Sequence, residues 1–118
     1  MIGVDMQKYG QYLKFGEYVV NVSEILYFWK RSNVIQGFLR GQIIPLISNM
    51  KDPAIEFERI WSATDLVWLG DYLINPDNMA YAWQRESDQV QAFAPGFPIP
   101  LCGHLHDDRL KKIWGLDV

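Results

Sequence analysis

The sequence GEYVVN at residues 16–21 returns in altered form as GDYLIN at residues 70–75. A Tyr-x-Trp-x-Arg pattern follows each of these stretches at the same distance. A period of about fifty residues is typical of two copies of one supersecondary unit, because each copy alone buries its apolar face poorly. We therefore expect two tandem pseudo-symmetric repeats, at about residues 11–61 and 66–114.

Each repeat begins with the pattern of a β-hairpin. Gly16 and Gly70 stand at the first central position of a two-residue turn, where a positive φ is needed. Sets of Asn, Asp and Ser at residues 21–24 and 75–78 predict a further turn after each hairpin, because their side chains bond downstream amides. Residues 1–10 precede the first repeat and are interpreted as either a leading strand or an arm that reaches a neighbouring chain.

The third strand of the first repeat alternates two kinds of side chain. Tyr27, Trp29 and Arg31 share one face, and the same pattern returns in the second repeat, so we expect this face to point to the core of its own repeat. Leu26 and Phe28 share the other face, which is bulky and apolar in the first repeat only. That difference favours either packing between the repeats or a contact with another subunit.

A second hairpin and a short helix complete each repeat. The strands of the second hairpins are predicted at residues 34–39, 42–47, 90–94 and 97–101. Pro98 and Pro100 confine the last strand to a sheet edge or a bulge, because proline lacks an amide hydrogen. Asp52, Pro53 and Asp107 are typical of helix starts. The predicted fold class is α+β and mainly antiparallel β, with each repeat a β-meander of about five strands followed by a short helix, in a single domain of 118 residues.

The composition argues against several classes of partner. Lysine and arginine number 11 against 14 acidic residues, and a net charge of -3 gives no general attraction to nucleic acid or to anionic lipid. The sequence lacks an apolar run of the roughly 20 residues that span a bilayer, and the N-terminus lacks the pattern of a signal peptide. One cysteine, Cys102, forms no internal disulfide. We expect a cytoplasmic protein that does not enter a membrane.

The segment around Cys102 offers the sharpest candidate chemistry. Cys102, His104 and His106 point to one side of an extended chain, and thiolate with imidazole suits zinc. The spacing lacks the Cys-x-x-Cys pattern of structural zinc sites, so the competing interpretation is a loop with incidental histidines before a helix. A third interpretation is a Cys102 nucleophile paired with His104 or His106 as its base, with Asp107 or Asp108 orienting the histidine. The competing interpretation is that Cys102 is a small buried residue that continues the last strand.

Two further observations bear on catalysis and on ligand binding. The sequence contains no phosphate-binding glycine loop, nucleophile elbow or dinucleotide fingerprint, so we predict no catalytic residues. The pairs Trp29 with Arg31 and Trp83 with Arg85 suit a ligand whose ring stacks on indole and whose phosphate meets guanidinium. The competing interpretation places both tryptophans in the core.

Apolar side chains exceed what two such small units need to fill their cores. The surplus consists of Leu26, Phe28, Ile35, Phe38, Ile43, Ile47, Trp68 and Phe97. A contiguous excess of this kind marks a partner surface or a subunit interface. The favoured function is a non-catalytic protein-interaction module, a small cytoplasmic adaptor, regulator or inhibitor that also forms a homo-oligomer. Bacterial and phage accessory proteins are the expected context. The alternatives are a small-ligand or nucleotide binder and a zinc-binding protein; no other cofactor is predicted.

Overall fold

The computed structural model describes residues 11–49, 51–86 and 88–116. The strands are β1 (Tyr12–Phe15), β2 (Tyr18–Asn21), β3 (Ile25–Arg31), β4 (Val34–Leu39), β5 (Leu46–Asn49), β6 (Val67–Leu69), β7 (Tyr72–Ile74), β8 (Tyr81–Gln84), β9 (Gln89–Phe93) and β10 (Leu101–His104). The helices are α1 (Pro53–Ala63) and α2 (Asp108–Trp114), with short 3-10 helices at Val22–Glu24 and Pro76–Asn78. Every strand pair in these residues is antiparallel, which confirms the α+β, mainly antiparallel class. The arm or strand expected at residues 1–10 lies outside the described residues.

Both hairpin turns form where the glycines predict them. Gly16 and Gly70 each have a φ of 57°, a left-handed conformation that favours glycine. The turns bring Phe15 opposite Tyr18 in the first hairpin and Leu69 opposite Tyr72 in the second. The prediction of two-residue turns at these positions is confirmed.

An asparagine redirects the chain after each hairpin. The Oδ1 atom of Asn21 accepts a hydrogen bond of 3.1 Å from the amide of Ser23, and that of Asn75 accepts one of 3.1 Å from the amide of Asp77. Each asparagine thereby caps a short 3-10 helix, as the turn-forming residues predict. Because the chain turns away here, β2 does not pair with β3 and β7 does not pair with β8 in the described sheets. The expected continuous meander is therefore wrong.

The strands form three sheets, and the largest contains strands from both halves of the chain. A two-stranded sheet holds β1 and β2, a three-stranded sheet has the order β10-β9-β8, and a five-stranded sheet has the order β5-β4-β3-β7-β6. In the five-stranded sheet Tyr27 pairs with Ile74, Phe28 with Leu73, and Trp29 with Tyr72. Pairing of β3 with β7 thus joins the first half of the chain to the second.

Two apolar cores lie on the two faces of the five-stranded sheet. The first, which we call the α1 core, contains Phe28, Leu73 and the α1 residues Phe57 and Ile60. The second, which we call the α2 core, contains Leu26, Tyr27, Ile74 and the α2 residue Leu110. A register shift between Ile25 and Tyr27 marks a β-bulge, which lets the neighbours Leu26 and Tyr27 enter the same core.

Burial of β3 on both faces overturns the expected division of its side chains. Leu26 and Phe28 are fully buried, as is Ile35 of β4, so the expected contact of this face with another subunit is wrong. Both side chains instead pack in cores that include residues of the second half of the chain. Tyr27 enters the α2 core, which is built mostly from the second half of the chain, rather than the core of its own repeat. Alternation along a strand distinguishes two faces but does not say which is covered when both are apolar.

The last strand of each half begins later than predicted. The predicted strands at residues 42–47 and 97–101 are replaced by loops over residues 40–45 and 94–100, followed by β5 and β10. Pro45 and Pro100 end these loops, and neither can donate an amide hydrogen to a neighbouring strand. We call these two segments the isoleucine loops, because they carry Ile43, Ile44 and Ile99.

Both helices begin at the predicted caps. Asp52 accepts hydrogen bonds from the amides of Ala54 and Ile55 at 3.1 and 3.3 Å, and Asp107 accepts one from the amide of Arg109 at 2.9 Å. These carboxylates satisfy amides that the first helical turn leaves without intrahelical partners. Neither helix has the length and apolar composition that crossing a bilayer requires, a statement limited to the described residues.

The close approach of β10 to the turn between β6 and β7 gives a test of the fold. A Cβ atom at Gly103 would lie 2.7 Å from the Cα atom of Gly70, and the amide of Gly70 bonds the His104 carbonyl at 3.0 Å. We expect Gly103→Ala to lower the free energy of unfolding by about 1 to 3 kcal/mol, since the backbone must shift. Urea unfolding measures this change. Cys102→Ala, exposed on the same strand, is the control and should change stability by less than about 0.5 kcal/mol. Equal effects of both substitutions would contradict the close packing.

Candidate interaction surfaces

The two Trp-x-Arg pairs occupy different environments. Trp29 is half-buried against the α2 core, with its ring 6.3 Å from that of Tyr72, whereas Trp83 is exposed on β8. Arg31 and Arg85 are both exposed. Two equivalent pockets, as the repeated pattern suggested, therefore do not form from these pairs.

Trp29 lines an open cleft of about 470 Å³ whose other lining residues belong to α1, β3, β6 and the turn that follows β6. The other residues that line this cleft are Lys30, Ala54, Phe57, Glu58, Trp68 and Asp71. Three aromatic rings thus stand beside one amine and two carboxylates. Neither Arg31 nor Arg85 takes part, so the cation nearest to the indole is Lys30 rather than the arginine of the motif.

The Cys102 segment does not assemble into a metal site. Cys102, His104 and His106 are all exposed, and β10 ends at His104. The His104 Nδ1 atom lies 3.3 Å from Asp88 Oδ2, whereas the His106 Nε2 atom lies 3.1 Å from the Gly70 carbonyl oxygen. Within residues 11–49, 51–86 and 88–116, no group of three His, Cys, Asp or Glu residues is placed to hold a metal ion. The expectation that Cys102 is buried is also wrong.

Asp107 holds the second helix to the segment that connects the two halves. Its Oδ2 atom accepts hydrogen bonds of 3.1 Å from the Trp61 indole and of 3.1 Å from the Trp68 amide. Arg109 stacks its guanidinium 4.3 Å above the Trp61 ring and donates a bond of 2.8 Å to the Leu66 carbonyl. Asp107 therefore stabilises the fold through these contacts, and its side chain accepts hydrogen bonds from Trp61, Trp68 and Arg109 rather than from a histidine.

The surroundings of Asp107 also change its acidity. Burial acts to raise the pKa of its carboxyl group, but hydrogen bonds from Trp68, Trp61 and Arg109, with the nearby Arg109 charge, outweigh burial. The pKa of Asp107 in the folded chain therefore lies below its usual value. Stability from this shift is present above the pKa of the unfolded chain, about 4, and is lost as the pH falls below it.

The isoleucine loops carry the most exposed apolar side chains of the described residues. Ile43, Ile44 and Ile99 are 92, 79 and 77% exposed. Phe97 of the second loop lies edge-on to Phe38, 6.0 Å away, near the end of the strand from which the first loop leaves. The sequence identified Ile43 as surplus apolar surface but missed Ile44 and Ile99, and all three lie in segments that were predicted as strands. The prolines beside them were the signal that these residues lie in loops.

A second group of exposed apolar side chains lies on two strand edges. Tyr18 and Val19 are exposed on β2, and Tyr81 and Trp83 are exposed on β8. In the part of the chain that the structure describes, β2 pairs only with β1 and β8 pairs only with β9. We call the open edges the sides of β2 and of residues 81–83 in β8 that pair with no other described strand. Unprotected edges of this kind are sites at which another strand can add.

The acidity of Asp107 gives a pH-dependent test. We expect Asp107→Asn to lower the free energy of unfolding at pH 7 by about 1 to 2 kcal/mol. Asparagine can still cap the helix, but its amide NH2 group cannot accept the hydrogen bonds from Trp61 and Trp68, and the charge beside Arg109 is lost. The difference in unfolding free energy between the native protein and the variant should narrow at pH 3, because the unfolded chain, with a carboxyl pKa of about 4, then takes up a proton at Asp107 that the native carboxylate resists. Urea unfolding at both pH values checks this. Asp108→Asn alters the neighbouring, almost fully exposed carboxylate and is the matched control. A difference in unfolding free energy that stays constant between pH 7 and pH 3 would contradict the lowered pKa of Asp107.

Comparison of the chain with models of protein families, with curated proteins and with solved structures found no match.

Proposed function

We propose that this chain is a non-catalytic protein-interaction module, a small cytoplasmic adaptor, regulator or inhibitor that binds another protein through its isoleucine loops. The observation that carries the proposal is the exposure of Ile43, Ile44 and Ile99 at the ends of two loops. Complete burial of one such side chain is worth roughly 1.5 to 3 kcal/mol. Burial of all three would contribute roughly 4.5 to 9 kcal/mol, which is comparable to the cost of association in lost freedom of motion.

Both loops are constrained before any partner binds. In the first loop the amide of Gln42 bonds the Leu39 carbonyl at 3.3 Å, and in the second the amide of Phe97 bonds the Ala94 carbonyl at 3.2 Å. Arg40 forms an ion pair of 3.5 Å with Glu24 at the start of the first loop. Prolines restrict the backbone further, and a restricted loop loses less conformational entropy on binding. These contacts support the interpretation of the loops as a binding surface rather than as flexible linkers.

The same proposal includes the origin of the fold from two copies of one unit. The strand-strand-3-10-strand-strand-strand-helix order occurs in each half of the described chain. Gly16 lies against Ser48 of β5, and Gly70 lies against Gly103 of β10, at the corresponding place. Pairing between the halves is one-sided, because β3 pairs with β7 while β8 and β2 are not paired with each other. The proposed repeat is therefore arranged head to tail rather than about a two-fold axis, and the whole chain acts as one domain.

A second candidate function is binding of a small ligand or nucleotide in the Trp29 cleft. It is favoured by the position of the Lys30 amine beside the rings of Trp29, Phe57 and Trp68. Saturable quenching of tryptophan fluorescence by ATP, lost in Lys30→Gln, would support this candidate. Absence of quenching at millimolar ATP would contradict the binding of this nucleotide in the cleft.

Substitution of the loop isoleucines tests the proposed function. We expect a protein partner that is captured from the host by the tagged native chain to be lost at least about 10-fold with Ile43→Ser/Ile44→Ser, because two apolar anchors disappear. Quantitative mass spectrometry of the captured material measures the loss. Ile55→Ser is the matched control, since Ile55 is the same residue type, is also exposed, and lies on α1.

Two results would contradict the proposal. One is equal partner recovery by the native chain and the loop variant. The other is equal loss in the loop variant and in Ile55→Ser, which would indicate a general loss of apolar surface rather than a specific site. Circular dichroism and thermal melts establish that all three chains are folded, as expected for substitutions of exposed side chains.

A further inference from the structure

The two halves of the chain are joined by the pairing of β3 with β7. Each half contains strands that correspond to β3 and β7, but this pairing forms only once. Within the chain, the outer side of β3 accepts β7. By the repeated Tyr-x-Trp-x-Arg pattern, β8 corresponds to β3, and by the repeat of GEYVVN as GDYLIN, β2 corresponds to β7. These corresponding strands, β8 and β2, are the ones that carry the open edges.

We propose that chains assemble head to tail, with β2 of one copy adding to the open edge of β8 of the next copy. This inference rests on the proposed repeat of one unit. Its register follows from the pairs Tyr27 with Ile74, Phe28 with Leu73 and Trp29 with Tyr72. The corresponding pairs between chains are Tyr81 with Val20, Ala82 with Val19 and Trp83 with Tyr18.

Differences in burial between corresponding residues support this contact. Leu73 is fully buried beneath β3, whereas its counterpart Val19 is 66% exposed. Ile60 of α1 is fully buried in the same core, whereas its counterpart Ile113 of α2 is 51% exposed. Tyr27 is buried and its counterpart Tyr81 is exposed. At these three positions a side chain that is buried in one half is exposed in the other, as expected if a second copy covers it; Val20, the counterpart of Ile74, is already buried within the chain.

The surface beside β8 has room for the incoming strand. Ala82 occupies the position that corresponds to Phe28, and an open cleft of about 330 Å³ lies beside it. Ala80, Ala82 and Trp114 contribute to its walls. In the proposed register Val19 stands opposite Ala82 and its side chain enters this cleft. The small side chains on β8 are therefore complementary to the exposed valine on β2.

The open edges lack the features that usually prevent strand addition. Neither YVVN of β2 nor YAWQ of β8 contains a proline, a lysine or any other charged residue. The proposed contact also brings Trp83 to Tyr18, as Trp29 meets Tyr72 within the chain at 6.3 Å. Because the two edges differ, the contact is heterologous, and it produces closed rings or filaments of several chains rather than a symmetric pair joined by one contact.

Disulfide trapping tests the register directly. Residues that lie opposite each other in an antiparallel pair have Cα atoms about 4.5 to 5.5 Å apart, which is within reach of a disulfide. In a Cys102→Ser background, we expect Val19→Cys/Ala82→Cys to give a ladder of covalent dimers, trimers and larger species on oxidation, seen in a non-reducing gel. Each single cysteine variant can give only dimers. Lys14→Cys/Ala82→Cys is the off-register control, because Lys14 lies beside Val19 but one strand farther from the proposed contact.

A ladder of equal intensity in the Lys14 control, or no ladder at about 100 μM chain, would overturn the proposal. Sedimentation velocity supplies a second readout without cysteines. We expect native chains to sediment as multimers and Val19→Lys to sediment as a monomer, since a charge enters the apolar cleft. A native chain that remains monomeric, or a Val19→Lys variant that remains multimeric, also contradicts the contact. The Ile43→Ser/Ile44→Ser variant should assemble normally, so a failure of head-to-tail assembly is distinguishable from a failure of partner binding.

Discussion

Pairing between β3 and β7 is the constraint on which the rest of the structure depends. It places Phe28 opposite Leu73 with both side chains in the α1 core, and Tyr27 opposite Ile74 with both in the α2 core. Each core therefore contains residues from both halves of the chain, and neither is complete without the other half. The same few residues of β3 and β7 form the hydrogen bonds between the strands and fill the cores on both faces of the sheet. The folding of the two halves of the chain is therefore strongly coupled.

Because β3 pairs with β7 while β2 and β8 do not pair with each other, apolar side chains stay exposed on β2 and β8. A symmetric arrangement would cover β2 and β8 as it covers β3 and β7, whereas here the edges of β2 and β8 stay open in the described chain. The isoleucine loops are exposed for a separate reason, because their prolines exclude them from the neighbouring strands. The structure thus provides two independent apolar surfaces, which we assign to self-assembly and to binding of another protein.

Local signals in the sequence predicted the parts of the fold that depend on few neighbours. The glycine turns at Gly16 and Gly70, the caps Asp52 and Asp107, and the third strand at Ile25–Arg31 were all identified correctly. Long-range pairing was not predictable in this way, because alternation along β3 does not reveal that a strand from the other half covers it. Of the candidate surfaces, Ile43 was identified, but the open edges depend on which strands fail to pair.

Hydrogen exchange of the β3 and β7 amides in the native protein tests most directly whether their pairing unites the chain. If the account is right, the slowest amides of both strands exchange with the same opening free energy, equal to the free energy of global unfolding from urea titration. That agreement would show that the two halves unfold together. Exchange of β7 amides at a distinctly lower opening free energy than those of β3 would contradict the account, because the second half would then open while the first stays folded.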